Sequence, residues 1–222
     1  MRLIEGFRKT GIVLGHFLRY PKLMRKLQGF VYKGYLLDEG WINSAKHKRP
    51  LAADGSPLPW FTYPMIDFLG ERLNHEMKVF EYGGGNSTLY FASRVAQVTT
   101  VEHNAEWHDY LVRRMPENCK VLFQPLEYGG AYSQSAKTQG ELFDLIVVDG
   151  RDRVNCARHA LDALSARGVI IFDDFERERY HEAEGFLRER NFRRLNFWGI
   201  KPGLMERVNT ALFYRDGNVF GL

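Results

Sequence analysis

Cysteine is scarce. Cys119 and Cys156 are the only two in 222 residues. Two thiols build neither a disulfide scaffold nor, by themselves, a zinc site, so a reducing, cytoplasmic setting is expected. Long hydrophobic runs are missing as well. The apolar stretch near the start, "GIVLGHFL", falls far short of the roughly 20 residues that cross a bilayer. His16 interrupts it, and no small-residue cleavage pattern follows before "RYPKLMRKL", which argues against a secretory signal. Acid is nearly absent from the first 33 residues, where eight Lys or Arg face a single acid, Glu5. The rest of the chain carries 23 basic and 26 acidic residues, so the overall charge of +4 belongs to the N-terminus alone. A net-negative body with no basic groove interleaved with aromatics gives no reason to expect a nucleic-acid partner.

Ile4, Phe7, Ile12, Leu14, Phe17 and Leu18 stand among those basic residues. They form one face of an amphipathic helix that either packs on the domain or lies on a membrane surface, giving a peripheral contact through residues 1–33. Residues 34–59 are rich in turn formers and read as a connecting segment. The chain therefore divides into a basic N-terminal helical extension and connector over 1–59, and a domain over 60–222.

From Thr62 onward strands and helices alternate. Pro64 suits the first turn of a helix whose stripe is Met65, Ile66, Phe68, Leu69 and Leu73. Strands are predicted over 78–82, 98–102, 119–124, 142–149 and 168–173, with helices over 87–95, 105–115, 153–165 and 177–190. "LIVVD" and "VIIFD" are continuous apolar runs, as expected of central parallel strands covered on both faces. This is the pattern of an α/β doubly wound sheet. No helix separates the last two strands, at 192–198 and 210–214, which predicts an antiparallel hairpin at the sheet edge.

The stretch "VFEYGGGNSTLYFASRVAQVTTVEHN" closes two successive strands with acids, Glu81 and Glu102. Gly83, Gly84 and Gly85 follow the first. In open parallel sheets ligands bind beyond the carboxyl ends of the strands. Glycines there allow a ligand close to the backbone, and an acid ending the second strand can accept hydrogen bonds from both hydroxyls of a ribose. Glu81 is unexpected beside a pyrophosphate, which it would repel, but it would attract an ammonium. An amino group, an adenosine ribose and no phosphate together describe S-adenosylmethionine.

"EYGGGNS", "VTTVEHN", "FDLIVVDG" and "GVIIFDD", in that order, resemble the class I S-adenosylmethionine-dependent methyltransferases, over most of the chain from about Trp60. "DGRDRVNCARHAL…GVIIFDD" is similar to a bacterial branch acting on small molecules or sugars. The resemblance implies a Rossmann-like, seven-stranded, mostly parallel sheet with an antiparallel edge hairpin. It also implies methylation of a small molecule or saccharide at an oxygen. Glu81 then lies by the methionine amino end, and Glu102 holds the ribose. Gly83, Gly84, Gly85, Asn86 and Ser87 shape the turn, His103 flanks the adenine, and Trp60 and Tyr63 close over the cofactor. Asp149 ends the fourth strand where acceptor and sulfonium meet, and Asp174 is a second catalytic candidate. Asp149, Asp173 and Asp174 form an oxygen-rich cluster suited to Mg²⁺ or Ca²⁺, as in catechol-type O-methyltransferases. The alternative for the same acids is loop capping with Arg151, Arg153 or Arg177 as partners. The general base would be Asp149, Asp152, Tyr132 or His181, and the loop 128–140 would act as a lid. Two other classes share these motifs: a dinucleotide-dependent oxidoreductase, and a noncatalytic scaffold that binds the same cofactor.

Overall fold

The computed structural model describes Gly15 and residues 19–222. The amphipathic face expected over Ile4–Leu18 lies outside the described residues. The domain is built on β1 (Lys78–Tyr82), β2 (Gln97–Glu102), β3 (Cys119–Phe123), β4 (Phe143–Val148), β5 (Leu164–Phe172), β6 (Arg193–Gly199) and β7 (Val208–Tyr214). They form one seven-stranded sheet in the order β3-β2-β1-β4-β5-β7-β6. The first five pair in parallel. β7 runs antiparallel between β5 and β6. The expected edge hairpin is therefore present, with its second strand tucked inward against β5.

Helices α1 (Pro21–Gly29), α2 (Tyr35–Asp38) and α3 (Trp41–His47) precede α4 (Tyr63–Arg72), whose first turn holds Pro64. Then come α5 (Asn86–Ala92), α6 (Ala105–Val112), α7 (Ala131–Gln134), α8 (Arg153–Ala160) and α9 (Glu182–Glu189). The pleat sends alternate side chains to opposite faces, and the core divides accordingly. Phe80, Tyr82, Ile146, Val148, Ile170, Phe172 and Phe213 pack on one side against Cys156, Ala157 and Ala160 of α8 and Ala183 and Leu187 of α9. Val79, Leu145, Val147, Val169, Ile171 and Leu212 pack on the other against Met65, Ile66 and Leu69 of α4 and Tyr90 and Phe91 of α5. Both faces of β4 and β5 are thus covered, which is why their sequences show no polar alternation. Deleting one such side chain, as in Phe172→Ala, belongs to a class that costs about 3–5 kcal/mol.

Two expectations change. The connector proves to be part of the domain. Ser44 of α3 is buried and exchanges hydrogen bonds with the backbone of Leu51. Leu58 joins the core, and the Trp41 indole donates to the Leu204 carbonyl in the β6–β7 connection. Its helices are four and seven residues long, too short for periodicity to reveal. The loop expected to act as a lid is also largely pinned. Tyr132 and Ser133 of α7 are buried with Ala136, and the Tyr82 hydroxyl donates to the Ser133 carbonyl at 2.7 Å. Within it, Tyr128 is exposed at the tip.

By contrast, no residue of α1 is buried, and Leu23, Leu27, Phe30 and Val31 are all about half exposed. A chain starting at Gly34 is expected to melt within a few degrees of the full chain. One starting at Trp60 loses the Trp41, Ser44, Leu51 and Leu58 contacts and should melt much lower or not fold. Circular dichroism melts of the three chains check this.

Candidate active site

β1, β2 and β4 end together at one edge of the sheet, and the turn after each builds one wall of a cavity of about 640 Å³. Gly83, Gly84, Gly85, Asn86 and Ser87 line it, as do Glu102, His103 and Asp149. Eight of the residues singled out in the sequence are thus brought to one place. Another hollow, of about 590 Å³, lies by Asn74, Asp144 and Arg167 near the starts of β1 and β5. It is at the wrong end of the strands for a ligand in this topology.

The glycine turn is shaped by crowding. Gly83 has φ +88°, and a Cβ there would sit 2.8 Å from the Cα of Gly150. A Cβ on Gly150 would in turn lie 2.1 Å from the Tyr132 hydroxyl. The loops after β1 and β4 therefore touch backbone to backbone, which only glycine permits. Gly85 N–H donates to Thr88 Oγ1 at 2.9 Å, and Thr88 donates to Glu81 Oε2 at 2.5 Å.

Glu81 does not reach the cavity. It shares the face of β1 that α5 covers, and it is fully buried beneath the turn. Its other oxygen has no hydrogen-bond partner among the described residues. Burial pushes its pKa up to about 7, despite hydrogen bonds that favour the charged form. The expected contact with an ammonium is replaced by a structural one: Glu81 anchors Thr88, and Thr88 fixes the turn. Tyr63 also leaves the list. It is wholly buried on α4 and meets Tyr35 edge-on at 5.8 Å. Trp60, three residues earlier, lines the cavity instead and donates to the Pro202 carbonyl.

Glu102 is on the cavity wall with one oxygen committed. Oε1 accepts the backbone N–H groups of His103 and Asn104, both at 2.8 Å. No described residue hydrogen-bonds Oε2. Asn104 caps α6 by accepting from Trp107 N–H, which brings the Trp107 indole over the turn to donate to the Gly84 carbonyl at 2.9 Å. Trp107 lies stacked on Tyr110 and lines the cavity, as Trp60 does. The sequence reading missed it. The available signal was an aromatic in the first turn of an Asn-capped helix directly after Glu102.

Asp149 faces the cavity, with Oδ1 accepting from Arg153 Nη2 at 2.9 Å. Its pKa stands well above the usual carboxylate range because of burial and the Asp173 charge, against the pull of Arg153 and Lys201. Asp173 and Asp174 lie behind it and do not line the cavity. Lys201 Nζ donates to Asp173 Oδ2 and Asp174 Oδ1, both at 2.5 Å. Thr210 donates to Asp173 Oδ1 at 2.7 Å, and Arg177 pairs with Asp174 Oδ2 at 2.7 Å. Every oxygen of the two is thus engaged by a protein donor, leaving no set of free ligands for a divalent cation. Among the described residues no cluster of three or more His, Cys, Asp or Glu could hold a metal. The Mg²⁺ or Ca²⁺ expectation is corrected: Lys201 supplies the positive charge. Burial would raise Asp174, but Lys201, Arg153 and Arg177 together hold it below its ordinary value. Burial alone would lower Lys201, yet the three carboxylates hold its pKa up.

Of the other candidate bases, Tyr132 is fully buried, and the His181 ring faces the Phe175 carbonyl at 3.2 Å. Asp152 is held by Gly129 N–H and Asn155. Asp149 alone among them sits on the main cavity.

The folded chain is similar to known enzymes. One is a precorrin-6y C5,15-methyltransferase from Geobacter metallireducens GS-15, at 13% identity over 77% of this chain and 97% of that one, with a TM-score of 0.55. Another is an rRNA methylase from Streptococcus thermophilus, at 17% identity over 68% and 96%, with a TM-score of 0.50. This is the Rossmann-like methyltransferase fold. No family model matches the sequence, and no curated protein matches it. Among the described residues of this methyltransferase fold, no helix is long and apolar enough to cross a membrane.

Lys201→Met leaves two buried carboxylates sharing one loop without their cation. Such a loss costs about 3–5 kcal/mol, or roughly 6–20 °C in melting temperature for a domain of this size. Scanning calorimetry measures it. Adding Asp173→Asn to Lys201→Met should recover part of the loss.

Proposed function

We propose that this chain is an S-adenosylmethionine-dependent methyltransferase acting at an oxygen of a small molecule or saccharide. The observation that carries the reading is Glu102. One of its oxygens is fixed by two backbone N–H groups while the other has no hydrogen-bond partner among the described residues, on the same cavity as Gly83–Gly85 and Asp149. The residues fit the cofactor. Glu102 would hold the ribose, Trp107 and Trp60 give apolar surface to the rings, and the glycine turn leaves room for the amino-acid arm. When bound, S-adenosylmethionine supplies a methyl group on a sulfonium, ready for in-line displacement. The work of the protein's own groups is then to align the acceptor and exclude water. Asp149 would take the proton of an acceptor hydroxyl, and its raised pKa makes it a stronger base than an ordinary carboxylate.

The oxidoreductase reading is weaker on this fold. Dinucleotide-binding sheets run parallel in the order 3-2-1-4-5-6, whereas here an antiparallel β7 lies inside the edge. The net-negative charge outside the first 33 residues also supports a small acceptor over a nucleic acid. The exposed apolar side of α1, flanked by Lys22, Arg25 and Lys26, supports a peripheral contact with anionic lipid. Co-sedimentation with anionic vesicles that is equal for the full chain and the chain from Gly34 would remove that contact.

Isothermal titration calorimetry with S-adenosylhomocysteine tests the central reading. Glu102→Ala should weaken binding about tenfold or more, the usual cost of a lost charge-assisted hydrogen bond. Unchanged affinity would sink the ribose assignment. Once an acceptor is found, the rate should rise with pH through the Asp149 pKa, above the ordinary carboxylate range, because the base must be ionised. Asp149→Asn should lower the rate and abolish that limb of the profile while sparing cofactor affinity.

A further inference from the structure

A smaller hollow of about 240 Å³ adjoins the main cavity and shares Gly150, Arg151 and Arg153 with it. Tyr128, Asp152, Arg179 and Tyr180 complete its walls. It starts at Gly150, next to Asp149, and runs between the loop after β4 and the loop after β5.

Its charges do not balance. Arg153 is committed to Asp149, Asp174 and three backbone carbonyls. Arg177, just outside, is committed to Asp174 and Glu176. Asp152 is the carboxylate of this hollow, and both its oxygens already accept hydrogen bonds, from Gly129 and Asn155. Arg151 and Arg179 have no carboxylate partner among the described residues. Arg179 donates to the Tyr180 hydroxyl at 3.0 Å and lies over that ring's face. Lys48 and Arg49, which line the main cavity, also have no carboxylate partner among the described residues. Outside its first 33 residues the chain holds more acids than bases, yet it leaves unpaired guanidinium groups facing one concave place beside the candidate base. Guanidinium groups bind carboxylate and phosphate through paired N–H donors, and the two tyrosines beside them suit a ring-sized body.

We propose that the methyl acceptor is an anionic, sugar-sized molecule whose carboxylate or phosphate is held by Arg151 and Arg179, with its reacting hydroxyl at Asp149. The proposal rests on the methyltransferase reading and adds the charge of the substrate and the residues that recognise it. Arg151, on both cavities, ties the acceptor site to the cofactor site, whereas Arg179 belongs to the acceptor site alone.

Calorimetry on the full chain saturated with S-adenosylhomocysteine separates the two claims, with glucuronate, glucose 6-phosphate and neutral glucose as probes. At least one anionic probe should bind tenfold or more tighter than glucose, and which one it is distinguishes carboxylate from phosphate. Arg179→Gln should remove most of that preference, leave S-adenosylhomocysteine affinity unchanged and keep the melting temperature, since its side chain is exposed. Arg151→Gln should remove the preference as well. Added salt should weaken the anionic probe and spare glucose. If glucose binds as well as both anions, if no anion binds, or if Arg179→Gln binds anions like the wild type, the proposal is overturned even where S-adenosylhomocysteine binds. If S-adenosylhomocysteine does not bind but an anion binds through Arg151 and Arg179, the methyltransferase reading fails and the anion site stands.

Discussion

Parallel strands that end together bring their terminal side chains together, and in this chain those side chains are acids. Asp149 after β4 and Asp173 with Asp174 after β5 would repel one another in a buried place. Lys201 and Arg153 make the arrangement possible. The two cations also tie distant parts of the chain. Lys201 comes from the β6–β7 connection, which also receives the indoles of Trp41 and Trp60. Arg153 opens α8 and braces the loops after β4 and β5 through carbonyls of both. The cation cluster therefore fixes the floor of the cavity, and it leaves Asp149 as the acid of the three that remains on the cavity wall.

That division gives each acid a separate task. Asp173 and Asp174 are saturated and structural. Asp149 keeps one partner and a raised pKa. Glu81 is buried and anchors the glycine turn through Thr88, and Glu102 has one oxygen held and one without a partner among the described residues. Five carboxylates at strand ends thus fall into three that position backbone and two that face the cavity. A buried ion cluster is costly to assemble and costlier to break.

Much of this was legible in the sequence. The runs 145–149 and 169–173 announced central strands because burial on both faces leaves no polar alternation. The missing helix before Val208 announced the antiparallel edge. Glu102 and the three glycines, singled out because strand-end chemistry is local, line one cavity. What failed was long-range or short-period. Lys201 lies 27 residues from Asp174, and nothing local marks it as the cation that replaces a metal. The direction of Glu81 depends on which face α5 covers, which the pattern of one strand does not state. α2 and α3 are shorter than the window in which periodicity shows, and α7 hides in a loop rich in glycine and serine. Its clue was Tyr132 with Ala136, apolar residues one helical turn apart.

The central claim is that the cavity beyond β1, β2 and β4 holds S-adenosylmethionine, with Glu102 on the ribose. A crystal structure of the full chain grown with S-adenosylhomocysteine tests it most directly. The account expects the ribose hydroxyls against Glu102 Oε2, the amino-acid arm along Gly83–Gly85 and the sulfur toward Asp149. A ligand lodged elsewhere, in the hollow by Asn74 and Arg167 for instance, or a cavity that stays free of it at saturating concentration, would contradict the account.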